Sequence, residues 1–488
     1  MIRPKILLLC LTFFSAFQSS VAASAAEWRE RSVYQVMTDR FARPDGSITS
    51  PCSTNDRVYC GGSWRGLIDK LSYISGMGFT AIWISPIVEQ IGGNTGEGEA
   101  YHGYWSKNIY ALNPKFGTEQ DLKDLIAAVH ALKMYIMVDV VVNHYANQGE
   151  KIVYSDFVPF NDSRYFHPKC DIDWGNQTSI EICWMGNGYL SLPDLNTEDQ
   201  TVVDTLERYM ASLVINYKID GLRLDASRNI RKPFWTKLCL AAGVYCQGEV
   251  WVRDPEIICP YQEYMDGLHN YPIKEAATSA FTSSAGNMSD LVSLASQMQS
   301  RCRDITLFGT FMENHDNPRL GSFTTDIARL KNLAALNILA DGVPVVYYGQ
   351  EQALTGSNDP ANREALWLTG FATTNNLVPT FTSLNRFRNR VVRTSPPFLT
   401  TLAKYTLLSS SVITVRKGKV VLVLTNSGNG VVTNMVVDGF SRDLDLVEVL
   451  SCSESRADGT GRLPVVLKGE PMALYPKSLL VGSGICGL

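Results

Sequence analysis

The sequence predicts an α/β fold: a (β/α)8 barrel of the TIM type, an inserted loop-rich subdomain after the third strand, and a C-terminal all-β sandwich domain. Strand-like apolar runs alternate with helical patterns from Ser32 to about Asn389, and eight such units close a barrel. After about Thr401 the helical period disappears, and β-rich runs alternate with turn residues. At 488 residues the chain also exceeds the usual size of one core, so a second domain is expected.

The strand-like runs of the barrel are SVYQVMT, FTAIWIS, YIMVDVVV, IDGLRLD, VYCQGEV, LFGTFME and VPVVYYG. About 75 residues separate the third of these runs from the fourth, and only Glu198 to Tyr217 is plainly helical there. The polar and aromatic remainder is typical of a subdomain inserted on the side where binding loops gather. The predicted boundaries are a signal peptide at 1–23, the barrel at 24–143 and 199–400, the insertion at 144–198, and the C-terminal domain at 401–488.

The first residues have the pattern of a secretion signal. Arg3 and Lys5 precede an apolar run from Ile6 to Phe17, and small residues follow. That run is too short to span a membrane. The net charge of −4 gives no reason to expect nucleic acid or an anionic membrane as a partner. The sequence therefore predicts a secreted, soluble, monomeric protein.

Three acidic residues end three of the strand-like runs: Asp225 in GLRLD, Glu249 in QGEV and Asp316 in ENHD. In a parallel barrel the carboxyl ends of the strands share one mouth. Three carboxyl groups there, with Arg223 and His315 beside them, suit the cleavage of a glycosidic bond. One carboxylate attacks the anomeric carbon and another gives a proton to the leaving oxygen. Each acid alone is more often a cap or an ion-pair partner, but the three together indicate a catalytic site.

The strings VDVVVNH (138–144), GLRLD (221–225), GEV (248–250) and ENHDNPR (313–319) resemble the four signature regions of the α-amylase family, glycoside hydrolase family 13. Six further strings are similar to secreted fungal α-amylases of the TAKA-amylase type: YQVMTDRFARPDGS, GMGFTAIWISP, AYHGYW, SLPDLNT, DGVPVVYYGQEQ and NDPANRE. The resemblance covers the chain from about Glu27 to its end. It leaves open which reaction of the family is run.

The resemblance implies that Asp225 is the nucleophile, that Glu249 is the proton donor, and that Asp316 binds sugar hydroxyls around the distorted ring. Arg223 precedes Asp225 by two residues, so both side chains point the same way on one strand. We expect this arginine to lower the pKa of Asp225 and keep it ionised. The apolar neighbours of Glu249 are expected to keep its proton on. The other sugar contacts implied are Tyr104, Trp105, His144, His315, Asp359 and Arg363. Arg223, Trp251 and Arg253, which lie beside the acids in the sequence, are further candidate substrate-binding residues.

The resemblance also implies a bound Ca²⁺ that fixes the insertion to the barrel. Its ligands would be Asn143, Glu181, Asp194 and the backbone carbonyl of Asn229. Calcium takes six to eight oxygen ligands from carboxylates, amides and carbonyls, which suits this set. The alternative for Asp194 alone, in SLPDLNT, is an ordinary turn aspartate.

Cysteines and sequons agree with export. Of eleven cysteines, Cys10 lies in the signal, and Cys239 and Cys246 are either two buried thiols or a fifth bridge. The resemblance pairs the other eight as Cys52–Cys60, Cys170–Cys183, Cys259–Cys302 and Cys452–Cys486, which an oxidising compartment permits. Sequons at Asn161, Asn176 and Asn287 allow N-glycans on surface loops, and the alternative for each is an unused sequon.

Four departures from the family pattern cluster on the side of the departing glucan. Arg228 and Asn229 take the places of a lysine–histidine pair, Trp251 that of a leucine, and Arg253 that of a glycine. A bulky ring there could hold an incoming sugar and exclude water. The leading hypothesis is an α-amylase that hydrolyses internal α-1,4 bonds of an α-glucan. The alternatives are a 4-α-glucanotransferase, for example in wall α-glucan metabolism, and a non-catalytic glucan-binding relative, against which the full set of acids argues.

Overall fold

The structure, a computed structural model, describes residues 23–375 and 377–488. The predicted signal peptide therefore lies outside the described residues, except for its last position. Eight parallel strands form one sheet in the order β6-β5-β4-β3-β2-β1-β8-β7, and a parallel bridge between His269 and Gly309 joins its two edges. The strands are β1 (Val33–Val36), β2 (Ala81–Ile84), β3 (Tyr135–Val140), β4 (Gly221–Leu224), β5 (Tyr245–Gly248), β6 (Gly267–Leu268), β7 (Gly309–Thr310) and β8 (Val343–Tyr347). The predicted (β/α)8 barrel is confirmed.

The strands are buried on both faces because helices cover the outside of the barrel, which explains their nearly continuous apolar sequences. Helix ends follow local chemistry. The longest helix begins where the Asp199 side chain accepts backbone N–H groups, and it ends at Lys218 in the left-handed region, with φ 55°. The described α-helices are Ala25–Arg29, Thr38–Phe41, Trp64–Asp69, Leu71–Gly76, Glu119–Ala131, Gln177–Ile182, Gln200–Tyr217, Lys232–Ala242, Pro255–Ile258, Tyr271–Phe281, Met288–Arg301, Ile327–Leu339 and Val378–Thr394.

Long loops rise from the carboxyl ends of β2 and β3. The loop after β2 carries an antiparallel pair, Val88–Gln90 with Ser106–Leu112. The segment after β3 carries a three-stranded antiparallel sheet of Asn147–Gln148, Met185–Gly186 and Leu190–Leu192. Its buried aromatic rings, Tyr145, Phe157, Phe160 and Phe166, pack on one another and are continuous with the main apolar core. The exact boundaries of the inserted subdomain stay predictions.

The C-terminal strands are β9 (Lys404–Ser409), β10 (Val412–Lys417), β11 (Val420–Thr425), β12 (Thr433–Val437), β13 (Asp445–Glu448), β14 (Ser453–Arg456), β15 (Leu463–Leu467) and β16 (Met472–Pro476). Six of them form an antiparallel sheet in the order β9-β10-β11-β16-β13-β14, and β12 pairs with β15. Alternate residues of both sheets enclose a separate apolar cluster that includes Val412, Val421 and Leu463. The predicted all-β C-terminal domain is confirmed.

Buried polar contacts fix this domain to the barrel. Lys417 Nζ lies 2.7 Å from Asp341 Oδ1, and both side chains are buried. Asn332 Nδ2 donates to the carbonyl of Gly469 at 2.9 Å, and its Oδ1 accepts the Thr425 N–H at 2.8 Å. Parting the domains would exchange these contacts for contacts with water, so each hydrogen bond between uncharged groups adds a net stabilisation of about 0.5–1.5 kcal/mol.

All four predicted disulfides are present: Cys52–Cys60, Cys170–Cys183, Cys259–Cys302 and Cys452–Cys486. Cys239 and Cys246 are unpaired. The sequon residues Asn161, Asn176 and Asn287 are exposed, and their glycosylation stays a prediction. Among the described residues no helix is both long and apolar enough to cross a membrane.

Candidate active site

The barrel brings the three predicted catalytic acids to one mouth. Asp225 directly follows β4, Glu249 directly follows β5, and Asp316 lies on the loop after β7. One buried guanidinium connects two of them. Arg223 Nη1 donates to Asp225 Oδ1 at 2.7 Å, and Arg223 Nη2 lies 2.8 Å from Glu249 Oε2. The same Nη1 donates to Asp139 Oδ1 at 2.9 Å, so three carboxyl groups surround one positive charge.

The buried position of Asp225 overturns the expectation for its pKa. Burial raises the pKa of Asp225 well above the ordinary aspartate value, and Arg223 opposes that shift without reversing it. Burial likewise raises the pKa of Asp139 to about 6. The predicted lowering is wrong because burial disfavours the charged form of Asp225 more than Arg223 favours it, and the neighbouring Glu249 and Asp139 carboxyl groups add to the upward shift. The cluster therefore retains a proton at mildly acidic pH.

Both oxygens of Glu249 have fixed partners. Oε1 accepts from Tyr271 Oη at 3.0 Å, and Oε2 accepts from the backbone N–H of Ala226 at 3.2 Å. Tyr271 Oη in turn accepts from Asn314 Nδ2 at 3.0 Å. Trp251 stacks on the Tyr271 ring with centroids 5.5 Å apart and an 11° angle between planes. Tyr271 was missed by sequence reasoning, since it follows a two-residue strand with no apolar run to mark it.

Asp316 lies within a second charged group at the mouth. His315 Nε2 is 3.2 Å from Asp316 Oδ2, and Arg363 Nη2 is 3.5 Å from Asp316 Oδ1. Arg363 also pairs with Asp359 at 3.0 Å. Burial, reinforced by Arg223 and Arg363, lowers the pKa of His315 well below its ordinary value, so its ring is neutral. Neutral imidazole can both donate to and accept from hydroxyl groups.

Tyr104 links the two groups. Its ring stacks on His315 at 5.0 Å with planes 7° apart, and its Oη donates to Asp139 Oδ2 at 2.7 Å. His144 Nε2 lies 3.1 Å from the Tyr104 carbonyl, and burial lowers the pKa of His144 to about 4. Asp139 was also missed, although a carboxylate inside the apolar run YIMVDVVV was a signal that it is buried for a reason. Trp105 lies beside this group, edge-on to the His102 ring at 4.5 Å.

Comparison with known proteins decides the family. The family described as "Alpha amylase, catalytic domain" matches residues 35–389, and "Alpha-amylase, domain C" matches residues 406–488. This chain belongs to the α-amylase family. It is a glycoside hydrolase, and its relatives include "Alpha-amylase 2" of Schwanniomyces occidentalis, 45% identical over 97% of this chain and 95% of that protein. "Alpha-amylase 1" of Lipomyces kononenkoae is 46% identical over 95% of this chain and 76% of that protein.

Solved structures of the family agree. An α-amylase from Malbranchea cinnamomea matches with a TM-score of 0.94 and 46% identity, covering 95% of this chain and all (100%) of that one. A cyclomaltodextrin glucanotransferase matches with a TM-score of 0.78 over 92% of this chain and 99% of that one, but at 23% identity. That second likeness shows the shared fold alone. The fold of an α-amylase family member therefore does not separate hydrolysis from transfer.

The residues that differ from the family pattern make contacts with different parts of the structure. Trp251 is 48% exposed, with one face on Tyr271. Arg253 pairs with Asp290 at the start of the helix Met288–Arg301, so the structure does not bring its guanidinium to the acids. Arg228 Nε lies 3.4 Å from Gln177 Oε1 in the inserted segment. Trp251 is coupled to the acids through Tyr271, whose hydroxyl donates to Glu249.

Two of the predicted calcium ligands carry buried oxygens without hydrogen-bond partners, Asn143 Oδ1 and Asp194 Oδ1. The backbone places them side by side, because Leu195 N–H donates to the Asn143 carbonyl at 2.9 Å. The other Asp194 oxygen is 2.7 Å from His167 Nδ1. Buried oxygens normally have partners, and a hard cation that takes oxygen ligands fits this pair.

The other two predicted ligands lie where β4 meets the inserted segment. Asn229 Nδ2 donates to the Ile180 carbonyl at 3.3 Å, next to Glu181, and Glu181 Oε1 accepts from Gln177 Nε2 at 2.8 Å. Within residues 23–375 and 377–488 no group of three or more His, Cys, Asp or Glu side chains could hold a metal. The predicted set has two carboxylates, one amide and one carbonyl, so that finding does not bear on it.

Proposed function

We propose that the protein is a secreted α-amylase that hydrolyses internal α-1,4 bonds of starch, glycogen or a related α-glucan with retention of configuration. One observation carries this proposal: Asp225 and Glu249 end adjacent strands, and both contact the guanidinium of Arg223. A nucleophile and a proton donor that lie close together suit double displacement. The full-length similarity to proteins named α-amylases supports the substrate class.

In the first step Asp225 attacks the anomeric carbon while Glu249 gives its proton to the leaving glycosidic oxygen. The products are a glycosyl ester on Asp225 and a released glucan with a free hydroxyl. In the second step Glu249 takes a proton from water, the water oxygen attacks the anomeric carbon, and Asp225 leaves as a carboxylate. Tyr271 and the Ala226 N–H hold the Glu249 carboxyl in place through both steps.

The remaining predicted residues bind and orient the sugar. Asp316 accepts hydroxyl groups of the ring being cleaved, and the neutral His315 donates to another. His144 donates its Nε2–H to the Tyr104 carbonyl and so positions that residue beside the sugar. Tyr104 and Trp105 offer apolar ring faces, and Asp359 with Arg363 contacts the neighbouring sugar. Arg223 contacts no sugar in this account; it holds the acids.

Calcium would be bound by Asn143, Glu181, Asp194 and the Asn229 carbonyl. Its role is structural, because it would neutralise the unpartnered oxygens between insertion and barrel. The four disulfides support an oxidising compartment, and the signal-like start of the sequence supports secretion. A monomer is the proposed state.

Product analysis tests the reaction. The protein is incubated with a pure maltooligosaccharide, and products are separated by length at early times. Shorter products alone, in the α-anomeric form, are expected. Products longer than the substrate would instead support the second candidate, a 4-α-glucanotransferase.

The exposed ring of Trp251 is the observation that favours this second candidate. Replacing Trp251 by leucine is expected to lower the ratio of transfer to hydrolysis, because an acceptor sugar stacked on the indole competes with water for the glycosyl ester. The ratio is measured at high oligosaccharide concentration. Trp251→Phe, which keeps a ring on Tyr271, is the matched control and should keep most of the ratio. Equal ratios in wild type and Trp251→Leu would remove this residue from acceptor choice.

Asp139→Asn tests the shared guanidinium. We expect the acid limb of the kcat/KM profile to move to lower pH by roughly one unit. The pKa of Asp225 is raised in the folded protein, so this carboxyl loses its charge early as pH falls. Without the negative charge of Asp139, the Asp225 carboxylate is repelled less and interacts more strongly with the Arg223 guanidinium. The pKa of Asp225 is therefore lowered. An acid limb that stays in place or moves upward would contradict the account.

A further inference from the structure

The backbone of Tyr189 is fixed by hydrogen bonds, whereas its ring is exposed to solvent. The side chain of Asn187 accepts the N–H groups of Tyr189 and Leu190 at 2.9 and 3.1 Å. The Tyr189 carbonyl accepts the Gly149 N–H at 2.8 Å. The residue is nevertheless 68% exposed. Single exposed aromatic rings are ordinary, so its surroundings decide whether it has a role.

The ring rests on the backbone of another loop. A Cβ added to Gly96 would lie 2.7 Å from Tyr189 Cγ, so the two touch only because residue 96 has no side chain. The loops are joined below the ring. Asn187 Nδ2 donates to Glu97 Oε1 at 2.8 Å, and Arg57 Nη1 donates to Glu97 Oε2 at 2.9 Å. The base of the Tyr189 side chain is therefore packed against Gly96, and the rest of the ring is exposed.

These loops follow β1, β2 and β3, so they rise on the same mouth of the barrel as the acids. The loop that carries Gly96 continues within a few residues to Tyr104, which contacts Asp139. Trp251 and Tyr271 follow β5 and β6, on the opposite side of the closed ring of strands. Because Glu249 protonates the leaving oxygen, the departing glucan lies towards Trp251, whereas Tyr189 lies on the other side of the ring of strands.

We infer that Tyr189 is a sugar-stacking residue that binds a glucosyl unit of the retained part of the glucan, distant from the cleaved bond. An aromatic ring packed at its base against Gly96 binds the apolar face of a pyranose with little ordering cost. This inference rests on the proposed function. In this role Tyr189 determines which substrate lengths the enzyme prefers, and it takes no part in bond cleavage.

The test uses reducing-end aryl maltooligosaccharides of increasing length with the full-length protein. Tyr189→Ala is expected to lower kcat/KM by roughly five- to tenfold for long substrates, mainly through KM. The shortest substrates, whose retained part does not reach residue 189, should be unaffected. Tyr189→Trp should restore the long-substrate value. Tyr110→Ala is the matched control: Tyr110 is 59% exposed and packs on Tyr209 of the helix Gln200–Tyr217.

The outcomes are distinct. A loss that grows with substrate length in Tyr189→Ala alone supports the inference. An equal loss at every length, no loss at any length, or the same pattern in Tyr110→Ala overturns it. Absence of cleavage by the wild-type protein at every length overturns the proposed function itself, whatever the variants do.

Discussion

Asp225→Asn is expected to lower kcat on α-1,4-glucans by about 10⁴-fold or more, because an amide cannot form the glycosyl ester. Glu249→Gln should be similarly inactive on glucans, since the leaving oxygen then departs without a proton. The thermal melting curves of both variants should stay close to that of the wild type. Both residues lie at strand ends, and neither replacement changes side-chain size.

The two variants are separated by the leaving group. An aryl maltoside whose phenol leaves without protonation should restore the first step in Glu249→Gln but not in Asp225→Asn. Proton NMR of fresh wild-type products should show the α-anomer before mutarotation. Initial products in the β-form would sink the role of Asp225 as nucleophile.

Removing calcium is expected to lower Tm by several degrees. An ion bound only by the native state stabilises it by about 2.7 kcal/mol at a hundredfold excess over its Kd. Its loss would also return Asn143 Oδ1 and Asp194 Oδ1 to a buried state without partners. The measurement compares melting in calcium with melting after exhaustive chelation, with metal content determined on both samples.

Asp194→Asn is the matched variant, because the amide keeps the size of the side chain and can still bond to His167. The melting temperature of this variant in calcium should be close to that of the chelated wild type, and chelator should change it little. If the wild type melts at the same temperature with and without calcium, and metal analysis shows the chelated sample to be empty, calcium has no part in its stability.

The barrel was predictable wherever apolar runs were long enough to mark a strand. The run FTAIWIS contains β2, and VPVVYYG contains β8. The sixth strand, Gly267–Leu268, has two residues and could not be found, because its pairing comes from its neighbours in the closed ring. The seventh is also short, so most of LFGTFME is loop rather than strand.

The candidate site was likewise predictable from the sequence only in part. Local spacing was sufficient for Arg223 and Asp225, which share one strand face. Spacing could not show that Asp139 and Glu249 compete for the same guanidinium, since this depends on the register of three strands. Tyr271 reaches Glu249 only through the packing of the loop after β6. Burial, charge sharing and contacts between loops are tertiary properties, and the pKa of Asp225 is raised mainly by burial.

The shared position of Arg223 has a consequence for the energy of the reaction cycle. When Asp225 becomes an ester it loses its negative charge, and at the same moment Glu249 gains one by giving up its proton. One oxygen of each carboxyl group lies within 2.8 Å of the same guanidinium. The total charge around this buried cation is thus equal before and after each step, and only its distribution changes. The enzyme completes a turnover without ever creating or destroying net charge in a low-dielectric interior, where that would be expensive.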